Sequence, residues 1–399
     1  MNSSGRPPSH FRLSSGGLMS LIQRWMRGPE SKDFSIPTQI AIALGLIWLP
    51  LTILSLAAGS FSGNDVTHPF VSDIVPQVRF LIAIPLLLAA DLMIDPVTSV
   101  VVRNFQNSGI VPEADREHLG AALDKLHRAR DSIWPDITIV VLALLITWLF
   151  KPGYGDSASA AAATSWMWDA QEGWTRFTAA GWWYLLISGP MFQVILFRWM
   201  WRFMIWAAFL YRVSRLPLVL RPTHPDLAGG LGYLGMAQQS FVAVFIAFTT
   251  VASSTLAHDI LSGAETLRDV VPEIAVLVVG FIVTIYAPLL FFSEQLFTAR
   301  RSGLDEYGSL GNGLSEAFHE KWSSESGDVA GQKLLDSADP SVIADYTATY
   351  DNVRSMRPVP ATLRNLVTVA GILVLPFLPL TLTAFSLHDM LERLAESLI

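Results

Sequence analysis

Four stretches of the chain are long enough to cross a bilayer and contain no charged residue: Thr38–Gly59, Met236–Ala257, Ile274–Ser293 and Asn365–Ser386. A helix rises about 1.5 Å per residue, so roughly 20 apolar residues cross the hydrocarbon core. At 22 residues, the first is too long for an ordinary buried core helix. No alternation of apolar and polar residues in segments of about ten repeats along the chain, which argues against a β-barrel. The expected fold is all-α, a polytopic transmembrane helix bundle.

Three more stretches complete the set. Phe80–Ile94 is apolar except for Asp91, and Ile133–Phe150 except for Asp136. Phe177–Phe197 is uncharged; Arg198 and Arg202 then interrupt a pattern that stays apolar to Tyr211. Counting each as one span gives seven. The loops then fall on alternating sides. The N-terminal tail, Asp95–Ser132, Arg212–Gly235 and Glu294–Arg364 carry 5, 5, 3 and 7 Lys or Arg. The opposite loops, Ser60–Gln77, Lys151–Arg176, His258–Glu273 and the C-terminal tail, carry 0, 2, 1 and 1, with Arg79 at the second span's edge. This positive-inside bias puts the N-terminus in the cytoplasm and the C-terminus outside. Splitting the fourth element into two spans would flip every later loop and largely cancel the bias. Trp166, Trp168, Trp174, Trp182 and Trp183 gather where that span begins, as an interfacial aromatic belt does.

Composition agrees. Charged residues are 15% of the chain, against about 25% in soluble domains. There is no Cys, so disulfides and thiolate metal sites are excluded. A net charge of −7 argues against nucleic-acid binding. The expected organisation is a basic tail over 1–36, six spans over 37–293, a cytoplasmic insertion over 294–364, a seventh span over 365–386 and an external tail over 387–399. The tail lacks an apolar core long enough for a secretory signal peptide, though Leu18–Met26 reads as a short interfacial helix.

Two soluble helices are expected. Pro112, Glu113 and Asp115 open the first, Leu119, Leu123 and Leu126 form its apolar face, and Lys125, Arg128 and Arg130 close it. In the insertion, Gly, Ser and acids through Asp336 suggest a partly mobile loop. Ser341 then reads as an N-cap, with Val342, Tyr346, Tyr350 and Val353 at helical spacing.

Two constellations could carry chemistry. The first is electrostatic: Arg198 and Arg202 are four apart, as are Asp91 and Asp95, so each pair shares a helix face. Charges deep in a span face the bundle interior or water and usually pair. The second and fourth spans are therefore expected to be neighbours joined by these four residues. Alternatively, the arginines snorkel to the cytoplasmic headgroups and Asp95 ends a helix before Pro96. The second constellation is His224-Pro-Asp226-Leu-Ala-Gly229-Gly230. Asp226 can cap the helix that follows, or His224 and Asp226 can form a cytoplasmic gate. No third metal ligand stands at suitable spacing. Gly230-Leu-Gly232-Tyr-Leu-Gly235 matches a dinucleotide fingerprint in letters only, because it leads into a span instead of lying in a βαβ unit. No catalytic motif and no cofactor is indicated.

The fifth span is unusually polar, with Gln238, Gln239, Thr249, Thr250, Ser253, Ser254 and Thr255. These side chains either line a path or bond between helices. Pro190, Pro288, Pro376 and Pro379 should kink or break their spans.

Three passages together resemble a family of uncharacterised bacterial multi-pass inner-membrane proteins: Arg221–Gly235, Ala338–Tyr346 and Val353–Pro360. In that family a His-Pro-Asp-x-x-Gly-Gly stretch precedes one span, and an Arg-Met-Arg-x-Val-Pro-like stretch precedes the last. The resemblance implies a bacterial inner membrane location and marks His224, Asp226, Gly229, Gly230, Arg354 and Arg357 as pattern positions. It implies no activity.

Three function classes remain. The polar fifth span, deep charges and proline breaks fit transport of an ion or small solute. The long insertion fits a scaffold or sensor acting through cytoplasmic loops. An enzyme acting on a lipid would use the arginines for phosphate and His224 or Asp226 as base. The lipid bilayer is the partner implied, with a homo-oligomer or partner subunit compatible.

Overall fold

A computed structural model describes residues 12, 13, 16, 35–62, 68–149, 165–171, 174–323 and 337–384, with side chains of 169–171 and 174–175 left aside. Leu18–Met26 and the tail over 387–399 lie outside the described residues.

The protein is an all-α polytopic bundle. Its helices are α1 (Ile36–Ala57), α2 (Ile74–Asn107), α3 (Glu113–Asp131), α4 (Trp134–Leu149), α5 (Ala179–Val213), α6 (Tyr233–Leu261), α7 (Leu267–Ser323), α8 (Asp339–Arg354) and α9 (Leu363–Leu380). A single antiparallel hairpin, β1 (Trp168–Gln171) and β2 (Trp174–Phe177), precedes α5 among the described residues. There, α1, α2, α5, α6, α7 and α9 are each long and apolar enough to cross a membrane. The bent pair α3–α4, with 42° between its halves, makes a seventh. Its apolar part is α4, whose 16 residues span roughly 24 Å.

α5 and α6 are the most enclosed spans. Phe203 of α5 meets Phe241 and Phe245 of α6 edge-on at 5.1 and 5.9 Å. Phe105 of α2 contacts Phe209 of α5 at 6.4 Å and stacks on Phe292 of α7 at 6.5 Å. The outer helices turn apolar faces outward: Ile53 and Leu56 on α1, Val141 and Leu145 on α4, Val276 and Val283 on α7, Val367 and Leu378 on α9. In water such faces would drive aggregation; in lipid they need no partner.

The loops meet in two groups. Val219 N–H donates to Ile110 O, Arg357 N–H to Leu227 O, and Arg130 Nη1 to Arg12 O. The four basic segments thus lie together. On the opposite face Trp166 N–H donates to His68 O, and Trp166 Nε1 to Asp73 Oδ2 at 2.9 Å. Asp95–Ser132, Arg212–Gly235 and Glu294–Arg364 are thus in contact with one another, and Ser60–Gln77 is in contact with the loop before α5. The fourth element is accordingly one span: α5 runs unbroken past Arg198 and Arg202 to Val213, about 52 Å in all.

Three expectations need correction. α2 does not end at Asp95 but continues through Pro96 to Asn107. Proline removes one N–H, and here the Thr98 and Ser99 hydroxyls bond back to Ile94 O and Pro96 O. α8 begins at Asp339 after Ala338, ahead of the expected cap at Ser341. The largest departure is α7, which passes through the Gly- and Ser-rich stretch as helix to Ser323. Two of those glycines, Gly303 and Gly311, are contact surface, while Gly308 and Gly313 face open space. A Cβ on Gly303 would lie 2.7 Å from Pro222 Cβ, and one on Gly311 would lie 2.6 Å from Tyr346 Oη. Small residues let α7 lie close against α8 and the Arg221–Gly230 turn.

Prolines interrupt the spans in two ways. Pro85 and Pro190 each follow a five-residue π-turn, Arg79–Ala83 in α2 and Tyr184–Ser188 in α5. The wider turn relieves the clash of the ring with the carbonyl four residues back. Elsewhere a neighbouring span answers the freed carbonyl. Pro50 cannot donate to Leu46 O, and Trp183 Nε1 does so at 3.3 Å. At the 3-10 turn Ala287–Phe292, Ile285 O accepts from Gln238 Nε2 at 2.8 Å, where an i+3 donor would be Pro288. At Leu375–Leu380, Pro376 O accepts from Ser253 Oγ at 2.6 Å, where the i+3 donor would be Pro379.

Candidate functional site

The charged cluster forms where the basic ends of α2, α4 and α5 converge. Arg202 Nη1 lies 3.3 Å from Asp91 Oδ1, and Arg198 Nη1 lies 3.7 Å from Asp136 Oδ1. Three of the four side chains are at most 13% exposed and Asp91 is 31% exposed, so the arginines are enclosed and not spread into headgroups. The Arg202 guanidinium covers the Trp199 ring at 4.7 Å, and Trp199 Nε1 donates to Leu87 O at 2.8 Å. These contacts make α2 and α5 the expected neighbours. Asp95 sits one turn beyond Asp91 on α2. Asp136 was visible as the lone charge of the third span, but nothing local in the sequence ties it to Arg198.

The depth follows from helix rise. Arg198 lies roughly 29 Å along α5 from Ala179, near the basic boundary of a core about 30 Å thick. Asp136 lies in the first turn of α4. The cluster therefore lies near one boundary of the bundle and not at the midplane. Residues 12, 13 and 16 lie over it. Arg198 Nη2 donates to Gly16 O, Arg130 Nη1 donates to Arg12 O at 2.8 Å, and Leu13 between them is fully buried.

The second constellation is a turn knotted on Asp226. Its Oδ1 accepts from Ala228 N–H at 2.8 Å and Gly230 N–H at 3.1 Å; its Oδ2 accepts from Gly232 N–H at 2.7 Å. His224 Nδ1 lies 2.8 Å from Oδ1 and 3.3 Å from the Asp226 amide nitrogen. Burial pushes the Asp226 carboxyl up, but the amides of Ala228, Gly232 and Gly230 and the His224 bond outweigh it and hold it below its ordinary range. Asp226 thus holds the backbone of the turn before α6; the N-cap of that helix is Gly232, without a side-chain cap, so Asp226 does not cap the helix directly.

The glycines serve the same turn. Gly229 has φ +64° and Gly230 φ +96°, and Leu227 at φ 55° shares the left-handed region. A Cβ on Gly229 would lie 2.9 Å from Met356 Cε. Arg357 enters through its backbone, donating N–H to Leu227 O at 2.8 Å. Arg354 O accepts from Arg300 Nη2 at 2.7 Å while the Arg354 side chain is exposed. Two of the three passages that carry the family resemblance, Arg221–Gly235 and Val353–Pro360, therefore meet beside α7, while Ala338–Tyr346 lies farther along the α7–α8 hairpin.

Most of the fifth-span polar groups bond within their own helix or to a neighbouring span. Ser240, Thr249, Thr250, Ser254 and Thr255 donate to carbonyls of their own helix. Gln238 and Ser253 cross to the broken spans, and Gln238 Oε1 also accepts from Trp206 Nε1 at 2.9 Å.

Comparison of the chain with family models, with curated proteins and with solved structures gives no match.

Proposed function

We propose that this is a bacterial inner-membrane transport protein for an ion or small solute, with the N-terminus in the cytoplasm and the cluster of Arg198, Arg202, Asp91 and Asp136 at its cytoplasmic mouth. The carrying observation is the two ion pairs enclosed between three spans beneath the tail. Charges enclosed at membrane depth are expensive, because each loses several kcal/mol of hydration. A bundle needing only cohesion could use apolar contacts. A solute ion that takes the place of one partner supplies the counter-charge the other would otherwise lose.

The test is flux into proteoliposomes over a panel of ions and small solutes. Arg202→Asp should abolish it, and Arg202→Asp with Asp91→Arg should restore it at least in part. No flux for any solute, or no rescue by the swap in a protein that folds normally, would sink the proposal.

A second reading has its own support. α7 runs without a gap from the bundle into a helical hairpin with α8, closed at its far end by Lys321 Nζ and Trp322 Nε1 on Asp339 Oδ2, at 2.5 and 3.0 Å. Such a rod suits a scaffold or sensor that reads a cytoplasmic partner. It predicts that deleting Leu304–Met356 removes a co-purifying protein while flux persists. The lipid-enzyme reading has less support, since both Asp226 oxygens are engaged by amides of its own turn.

A further inference from the structure

A guanidinium withdrawn from water needs a counter-charge or a full set of acceptors. Arg198 and Arg202 have carboxylates. Arg79, on the π-turn of α2, has none within ion-pair distance among the described residues. Its Nη1 donates to Tyr184 Oη at 2.6 Å, on the π-turn of α5. Its Cζ stands 5.4 Å from the centre of the Phe192 ring. Its Nε is buried without an acceptor. Tyr184 is itself buried, with the Phe80 ring 6.1 Å away.

Among the described residues the guanidinium bonds only through Nη1. Nε is enclosed, while Nη2 is not among the enclosed groups. Tyr184 accepts from Arg79, so its own hydrogen stays available to donate. Both neighbours that do touch the cation are neutral. Arg79 sits about 7.5 Å along α2 from Ile74, shallow enough to be reached from the face opposite the basic loops.

We propose that Arg79 and Tyr184 form a binding site for an oxyanion, a carboxylate or phosphate carried on an apolar body, with Phe80 and Phe192 as its walls. The anion accepts from Nη2 of Arg79 with one oxygen and from the Tyr184 hydroxyl with another. Facing π-turns bring the two side chains together, as such turns often do at functional positions. The source is either a soluble organic anion or the phosphate of an anionic lipid headgroup. This deepens the transport reading but does not depend on flux.

The full chain, purified in a neutral detergent, is titrated with sodium benzoate and with inorganic phosphate at fixed ionic strength, following Tm by tryptophan fluorescence. Phosphatidylglycerol retention is followed in parallel by native mass spectrometry. A saturable rise in Tm with benzoate or phosphate identifies a soluble anion; retained phosphatidylglycerol without that rise identifies a headgroup. In either case Arg79→Gln should weaken binding about tenfold or more. Tyr184→Phe keeps ring and charge, and should weaken it severalfold without lowering the unliganded Tm. Unchanged binding in Tyr184→Phe overturns the site even if Arg79→Gln fails to fold, as does the absence of all three responses in the unsubstituted protein. Binding without flux would retain this site and remove the transport proposal.

Discussion

Asp226 shows how one side chain fixes a backbone. It accepts three amide hydrogens within the seven residues Asp226–Gly232, and His224 Nδ1 lies 2.8 Å from its Oδ1. Asparagine would replace one acceptor oxygen by a donor facing an amide. Bonds to a charged acceptor are worth about 1.5–3 kcal/mol each, less at a partly exposed site. Asp226→Asn should therefore cost roughly 1–3 kcal/mol in detergent unfolding. The pH dependence has a definite sign. The folded carboxyl titrates below its unfolded value near 3.9, so its stabilisation is complete above about pH 4 and is lost as pH falls through the lowered value. Asp226→Asn should flatten the loss of stability below pH 4; an unchanged acid profile would mean that another carboxylate controls it. Sequence offered both a cap and a gate for this residue. Choosing needed the coordinates of three amides up to six residues away.

At the scale of elements, the spans stay helical around their prolines because donors from other spans reach the freed carbonyls. The polar fifth span, ambiguous in sequence, is largely explained by this role and by bonds within its own turns. Magnitudes separate the two crossing bonds. Ser253→Ala removes one interhelical bond, for which an average near 0.6 kcal/mol applies. Gln238→Leu strands both Ile285 O and Trp206 Nε1 away from water, and should cost about 2–4 kcal/mol. Urea or SDS unfolding of the two variants should rank them in that order; equal losses would show that these bonds do not hold the breaks. The helical course of α7 past four glycines has the same character. Gly, Ser and acids favour a loop when read locally. Packing on Pro222, Val353 and Tyr346 outweighs a propensity cost of about 1 kcal/mol per glycine.

The whole molecule is organised by its two faces. Basic segments distant in sequence form one surface of turn, helices and tail, and the short opposite loops form the other. Because the chain has no Cys, single cysteines can report sidedness directly. Gly313→Cys, exposed on α7, should react with an impermeant maleimide only when the cytoplasmic side is open; Ser62→Cys should react from outside in intact spheroplasts. The reverse pattern would invert the topology, and labelling of both from one side would break the span count.

By itself the sequence determined the class of fold, the positions of the spans, the alternation of loops and the two soluble helices. Each rests on a local quantity, either the transfer of some twenty side chains into lipid or the charge carried by a short loop. Tertiary structure alone decided that Arg198 faces Asp136, that Leu13 is buried over the cluster, that Arg79 meets Tyr184 without a counter-charge, and that α2 and α7 outrun their expected ends. Those outcomes depend on which groups from separate spans come within about 3–4 Å, and no local quantity records that distance.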